Sequence, residues 1–190
     1  MCPGRASSLW APGRSDSRLL LTLKASGAKW VGISEVSEAR KGRARAFGAD
    51  DVYDPRTDDV AARVKERTDG LGAHVSFDAS GLESTLKTAI ESIRPKGTAF
   101  NVANWEGPVS FDVNSLVLGG KKLASTLGFA GVHPSVISAL DDGRIKPADM
   151  ITARISLEDV VDGRFEELIR NKDNHIKIIV HPKCETEEYP

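Results

Sequence analysis

Lys29-Trp-Val-Gly-Ile-Ser-Glu-Val-Ser-Glu-Ala-Arg40 decides the reading of this chain. Trp30 to Ser34 is a short apolar run that ends on an acid, Glu35, and a helical segment from Ser37 to Phe47 follows at once. An apolar run of strand length, running directly into a helix, fits a strand buried on both faces of a parallel sheet. The alternation continues downstream. Gly48 to Pro55 reads as a turn, a short strand and a break. Asp58 to Asp69 reads as a helix with Val60, Ala61 and Val64 on one face. His74 to Asp78 alternates like a strand, and Leu82 to Ile93 carries Leu86, Ala89, Ile90 and Ile93 at helical spacing. Arg94-Pro-Lys-Gly97 is a turn, and Thr98 to Val102 is a second buried strand.

Outward from this centre the signals weaken. Met1 to Arg18 holds Cys-Pro-Gly-Arg and Ala-Pro-Gly-Arg with no apolar period, and propensity predicts coil. Ser17 to Gly27 is leucine-rich and predicts a helix stopped at Gly27. Further on, Val113 to Leu118 predicts a short helix and Leu123 to Phe129 a strand. Pro134 to Leu140 predicts a helix, Leu157 to Asn171 another, and His175 to Val180 a last strand. Glu185 to Pro190 reads as a tail. Strands alternating with helices indicate an α/β fold, a Rossmann-like doubly wound parallel sheet whose first strand and glycine-rich turn are degraded. The expected division is 1–18 irregular, 19–150 the sheet domain, 151–182 a helix and strand returning toward a further domain, and 183–190 a tail.

Glu35 gains meaning in that fold. In a dinucleotide-binding βαβ unit an acid at the end of the second strand receives the adenosine ribose hydroxyls, about 20 residues after a glycine-rich phosphate turn. The alternative is a solvated residue after a strand. A carboxylate there would repel a 2′-phosphate, which favours NAD over NADP. The composition excludes other classes. A net charge of −1 argues against nucleic-acid or anionic-membrane surfaces. No apolar run approaches the ~20 residues that span a bilayer. The N-terminus has no continuous apolar core of a secretory signal, and its Arg and Ser content only weakly resembles a transit peptide. Cys2 and Cys184 lie near opposite ends, so a disulfide framework is not expected and a reducing, cytoplasmic setting is.

Several segments carry a resemblance. They are Ser34-Glu-Val-Ser-Glu-Ala-Arg40, Phe47-Gly-Ala-Asp50, Thr68-Asp-Gly-Leu-Gly-Ala-His-Val-Ser-Phe-Asp-Ala-Ser-Gly81 and Arg94-Pro-Lys-Gly-Thr98. Gly143-Arg-Ile-Lys-Pro147, Met150-Ile-Thr152, Phe165-Glu-Glu-Leu-Ile-Arg170 and Lys177-Ile-Ile-Val180 extend it. In this order and spacing the chain resembles the cofactor-binding half of medium-chain, zinc-dependent alcohol and polyol dehydrogenases, on the butanediol and sorbitol dehydrogenase branch. That resemblance implies hydride transfer between NAD and a secondary alcohol, with zinc polarising the oxygen. The family's zinc ligands belong to a catalytic domain that this sequence is expected to lack, so no zinc is expected here and the chain is expected to be inactive alone. A methyltransferase-like domain also places an acid after the second strand, but the C-terminal half does not suit it.

The resemblance fails at Leu9 to Arg18, where the family carries Gly-x-Gly-x-x-Gly. One permitted set of codons for this segment, shifted by one base, reads Leu-Val-Gly-Ala-Gly-Pro-Ile-Gly-Leu-Ala. The start of the chain is therefore expected to be read out of frame or mis-spliced, although free wobble positions also allow coincidence. Without those glycines NAD affinity is expected to be weak or lost.

Other candidate residues keep two readings each. Arg40 matches a family position near the ribose and phosphates, or is a helix-surface arginine. Val102 and Ala103 offer backbone groups to the carboxamide, or are core and loop. Ser80 borders the adenosine, or sits in a plain strand-to-helix turn. Lys177 matches a basic position that reaches the pyrophosphate in relatives, or is an outward strand lysine. The four histidines read as structural or solvated. Leu123 to Phe129 corresponds to the edge strand of family dimers and is the expected site of pairing with a second copy or a full-length paralogue.

Overall fold

The computed structural model describes residues 6–10, 16–128, 131–147, 150–160, 170 and 175–182. In chain order the elements are β1 (Ala6–Trp10), α1 (Asp16–Ala25), β2 (Trp30–Ser34), α2 (Glu38–Ala46), β3 (Asp51–Tyr53), α3 (Val60–Arg67) and β4 (Ala73–Asp78). Then come α4 (Glu83–Ser92), β5 (Ile93–Asn101), α5 (Asn114–Val117), β6 (Lys122–Ser125), α6 (His133–Asp141), β7 (Ile151–Ser156) and β8 (Lys177–His181). The chain divides into two compact units between Ile145 and Lys146, a few residues before the expected boundary at 150.

The first unit holds a parallel sheet in the order β3-β2-β1-β4-β5-β6. Strand order reverses direction between β1 and β4, and in such sheets ligands bind beyond the carboxyl ends of the strands at that reversal. Alternation along the strands builds three apolar clusters. Val31 and Ile33 of β2 pack with Leu20 of α1 and Ala44 of α2. Trp30 and Tyr53, from the other face, pack with Val60 and Val64 of α3. Ala99 of β5 packs with Leu86 and Ile90 of α4. The spacing of Leu86, Ala89 and Ile90 gives α4 its buried stripe, and Ser76 Oγ of β4 donates to Ala89 O at 2.8 Å. Asp59 caps α3, its side chain accepting from Ala62 N.

Four expectations change. Ala6–Trp10, read as coil, is β1, the strand joining both halves of the sheet; pairing with β2 and β4 overrides its weak local propensity. The first strand is therefore present and not degraded. The turn at Arg94–Gly97 is an irregularity within β5, where the register with β4 shifts between Ala73 and Val75 and Lys96 takes φ +61°. The strand expected over Leu123–Phe129 is β6, ending at Ser125, and Gly128 has φ +77°. Finally, β7 was not expected; in the second unit it pairs in parallel with β8. Most of the helix expected over Leu157–Asn171, the whole tail from Glu185, both cysteines and residues 11–15 of the expected glycine turn lie outside the described residues.

Gly32 shows how the sequence fits this sheet. A Cβ there would lie 2.7 Å from Trp30 Cζ2 and 3.2 Å from Tyr53 Cε2. The Trp30 ring is tethered, its Nε1 donating to Asp51 Oδ2 at 2.6 Å, and Arg67 Nε donates to the same oxygen at 3.2 Å. Gly32→Ala therefore overpacks this core and should lower unfolding free energy by about 1–3 kcal/mol in denaturant titration. In a Trp30→Leu background the additional loss should shrink. An equal loss in both backgrounds would place the strain elsewhere.

Candidate functional site

The parallel register carries one row of residues across the carboxyl rim of the sheet. Tyr53 is level with Ser34, Ser34 with Trp10, Trp10 with Asp78, Asp78 with Asn101 and Asn101 with Ser125. Three buried side-chain oxygens lack a hydrogen-bond partner among the described residues: Ser34 Oγ, Glu35 Oε2 and Asp78 Oδ2. All three belong to this rim, at the ends of the two strands that flank β1. Buried polar groups are normally satisfied, so three spare acceptors in one place call for an explanation.

Glu35 follows β2 directly and is 2% exposed. Its backbone N donates to Tyr53 O at 3.0 Å. Its Oε1 accepts from Val36 N and Ser37 N, both at 2.8 Å, which fixes the carboxyl at the entry to α2. Among the described residues its Oε2 is left with Arg40 Nη1 alone, at 3.9 Å, too far for a hydrogen bond. The structure thus brings Glu35 and Arg40 together at the end of β2. On the other side of β1, Ser80 donates from N (3.0 Å) and Oγ (2.8 Å) to Asp78 Oδ1. Val102 N donates to Asp78 O at 2.8 Å. Ala103 exchanges two 3.2 Å bonds with the Asn101 side chain, which also accepts from Trp105 Nε1. Ser80, Val102 and Ala103 are thereby organised by two residues the sequence reading did not select, Asp78 and Asn101. The positional rule applied to Glu35, an acid where a strand meets a helix, would have found Asp78. Lys177 opens β8 and belongs to the second unit.

The spare acceptors on both sides of β1 suit the hydroxyl and amide donors of a dinucleotide. Zinc is a different matter. A zinc site needs three or four convergent ligands. Among the described residues no group of three or more His, Cys, Asp or Glu side chains is placed to hold a metal ion. Nor is any helix of the described residues long and apolar enough to cross a membrane.

Sheet order, helices on both faces and an acid beyond the second strand define a Rossmann-type cofactor domain. Residues 19–142 match the family model described as zinc-binding dehydrogenase, and the chain belongs to that family through its cofactor-binding portion. It is 36% identical over 165 residues to (R,R)-butanediol dehydrogenase of Neisseria gonorrhoeae, covering 86% of this chain and 46% of that protein. A probable diacetyl reductase [(R)-acetoin forming] of Saccharomyces cerevisiae is 36% identical over 176 residues, covering 86% of this chain and 41% of its own length. The crystal structure of 2R,3R-butanediol dehydrogenase from Bacillus subtilis superposes with a TM-score of 0.89 at 28% identity, over 96% of this chain and 52% of that one. The chain spans about half the length of the curated relatives it matches.

A charge network steadies the Glu35 side of the rim. Lys41 of α2, its side chain 7% exposed, reaches Asp54 at 2.6 Å and Glu38 at 2.7 Å. Arg56 also pairs with Asp54, and Asp58 Oδ2 accepts from Asp54 N. The hydrogen bonds from Arg56 and Lys41 hold the Asp54 carboxyl well below the usual carboxylate range. Bonds to Asp54 and Glu38 raise the Lys41 ammonium. Burial, helped by Asp51, pushes the Tyr53 phenol up to about 12. Because the folded-state pKa of Asp54 is depressed, its stabilising contribution is present above the ordinary value of about 4 and drains away as pH falls below it. Asp54→Asn should be less stable than wild type at neutral pH and should lose less on acidification, measured as denaturation midpoints between pH 7 and pH 2. Parallel pH profiles would show that Asp54 carries no such load.

Proposed function

We infer that this chain is the cofactor-holding half of a zinc-dependent dehydrogenase acting on secondary alcohols of the butanediol type. The observation that carries this reading is Glu35. Its carboxyl is buried, oriented by two backbone donors, and keeps Oε2 spare at the rim where an adenosine ribose would lie. Resemblance to butanediol dehydrogenases along most of the chain supports the substrate class. When bound, NAD would supply the hydride acceptor. The residues of the first unit proposed to hold it are Glu35 on the ribose, Arg40 beside it, Ser80 in the turn after β4, and Val102 and Ala103 through backbone groups. Zinc, which in this family's chemistry favours the alkoxide, has no ligand set among the described residues, so this chain alone is proposed not to turn over substrate.

Affinity is proposed to be weak. The segment joining β1 to α1 reads Ala11-Pro-Gly-Arg-Ser15, with one glycine where the fingerprint has three. Glycines there let the backbone approach the pyrophosphate at a helix N-terminus. Tryptophan-quenching titration should give an NAD dissociation constant of about 1 mM or weaker, a binding free energy no more favourable than about −4 kcal/mol. Replacing Leu9–Arg18 by Leu-Val-Gly-Ala-Gly-Pro-Ile-Gly-Leu-Ala should tighten it at least ~10-fold. In that restored chain Glu35→Gln should narrow the preference for NAD over NADP. Micromolar binding by the unaltered chain would overturn the weak-affinity reading; a restored chain that still ignores NAD would overturn the cofactor reading.

A second reading concerns association. β6 is the last strand of the sheet, and exposed apolar side chains cluster in sequence around it: Val117, Leu118, Leu123 and Leu127. Unpaired strand edges of this kind join to a second strand. The proposed occupant is a second copy of this chain, paired edge to edge. Sedimentation should give a dimer that Leu123→Lys converts to monomer. A monomeric wild type that co-purifies with a full-length paralogue would favour heterologous pairing instead.

A further inference from the structure

Asp78 is the least explained residue of the first unit. It closes β4 with no exposed surface, level with Trp10 of β1 on one side and Asn101 of β5 on the other. Its hydrogen bonds are lopsided. Oδ1 accepts from Ser80 N at 3.0 Å, Ser80 Oγ at 2.8 Å and Thr85 Oγ1 at 3.0 Å. Oδ2 has no partner among the described residues. Everything the β4–α4 turn requires is met by one oxygen, and an asparagine would meet it equally well through its carbonyl. The second oxygen adds only a buried acceptor, which is costly to leave unmade.

The surroundings are rigid, so the oxygen is held in place. Ser80 Oγ and Thr85 Oγ1 lie 2.5 Å apart. Thr85 Oγ1 also lies 2.8 Å from Leu82 O, so its one hydrogen is shared between that carbonyl and Asp78. A Cβ on Gly81, at φ +70°, would meet Asn104 O at 2.9 Å, so the turn packs against the loop after β5. That loop is tied back by the bond from Val102 N to Asp78 O. Glu35 and Asp78 thus stand on opposite sides of β1, each with one oxygen committed to backbone or turn and the other spare.

We propose that Asp78 is a binding residue: its Oδ2 accepts a hydrogen bond from a hydroxyl or amide donor on the nicotinamide-nucleoside half of the dinucleotide, as Glu35 does for the adenosine half. The assignment rests on the cofactor reading above. Asp78→Asn keeps the volume and the carbonyl that serves Ser80 and Thr85, and replaces the spare acceptor with a donor.

The test uses the glycine-restored chain and two ligands, ADP and NAD, by titration calorimetry, with thermal melts alongside. ADP reports the adenosine half alone. Asp78→Asn should weaken NAD about tenfold, the scale of one mispaired hydrogen bond, and leave ADP unchanged, while Tm stays level or rises. Unchanged NAD affinity overturns the assignment. So does equal weakening of ADP and NAD, or a fall in Tm, since each identifies a residue that merely supports the turn. A restored chain that binds neither ligand overturns the cofactor reading and this assignment together, an outcome distinct from binding that is insensitive to Asp78→Asn.

Discussion

The parallel pairing of β1 with β2 on one side and β4 on the other is the constraint on which the first unit depends. Without it the sheet would be two separate ribbons, β3-β2 and β4-β5-β6, each with a bare edge. With it, Trp10 comes level with both Ser34 and Asp78, and the ends of β2 and β4 share one rim. Strand order reverses at β1, and in open parallel sheets that reversal is where ligands bind, beyond the carboxyl ends of the strands.

That rim concentrates acceptors in a buried setting. A structural role alone would favour closing each polar group on a partner, because an unmet buried acceptor costs on the order of 1–3 kcal/mol. Among the described residues, Glu35 and Asp78 each close one oxygen and leave the other open, and Ser34 leaves its hydroxyl unbonded. The supporting network runs the other way. Lys41, Asp54 and Glu38 satisfy one another, and Asn101 meets Ala103 and Trp105. The contrast separates rim residues bonded to one another from rim residues that keep an unbonded oxygen among the described residues.

Much of this was legible in the sequence, for identifiable reasons. Trp30–Ser34 declared itself because a strand covered on both faces must be apolar throughout, and all five of its residues are buried. α4 declared itself through the spacing of Leu86, Ala89 and Ile90. The place of Glu35 directly after β2 was legible from position alone. β1 was not legible, because Ala-Ser-Ser-Leu-Trp has neither the apolar run nor the alternation of a strand, and its structure comes from partners about 20 and 70 residues away. β7 was hidden for a related reason: its partner β8 lies across a long sequence gap and only Ile155 and Ser156 of it are buried. Asp78 sat inside a quoted segment, yet its meaning lies in which of two oxygens is bonded, and no sequence pattern encodes that.

The fate of the glycine fingerprint separates two demands that the fold usually meets at once. Strand pairing is made by backbone N–H and C=O groups and is indifferent to much of the side-chain sequence, so β1 keeps its place between β2 and β4 with polar residues in it. Phosphate approach is different, since it requires the absence of side chains over a few residues, and Pro12 and Arg14 do not meet it. Architecture and affinity can therefore part company within one βαβ unit. What persists on either side of β1 is a pair of buried carboxyls, Glu35 and Asp78, each with one oxygen that has no hydrogen-bond partner among the described residues.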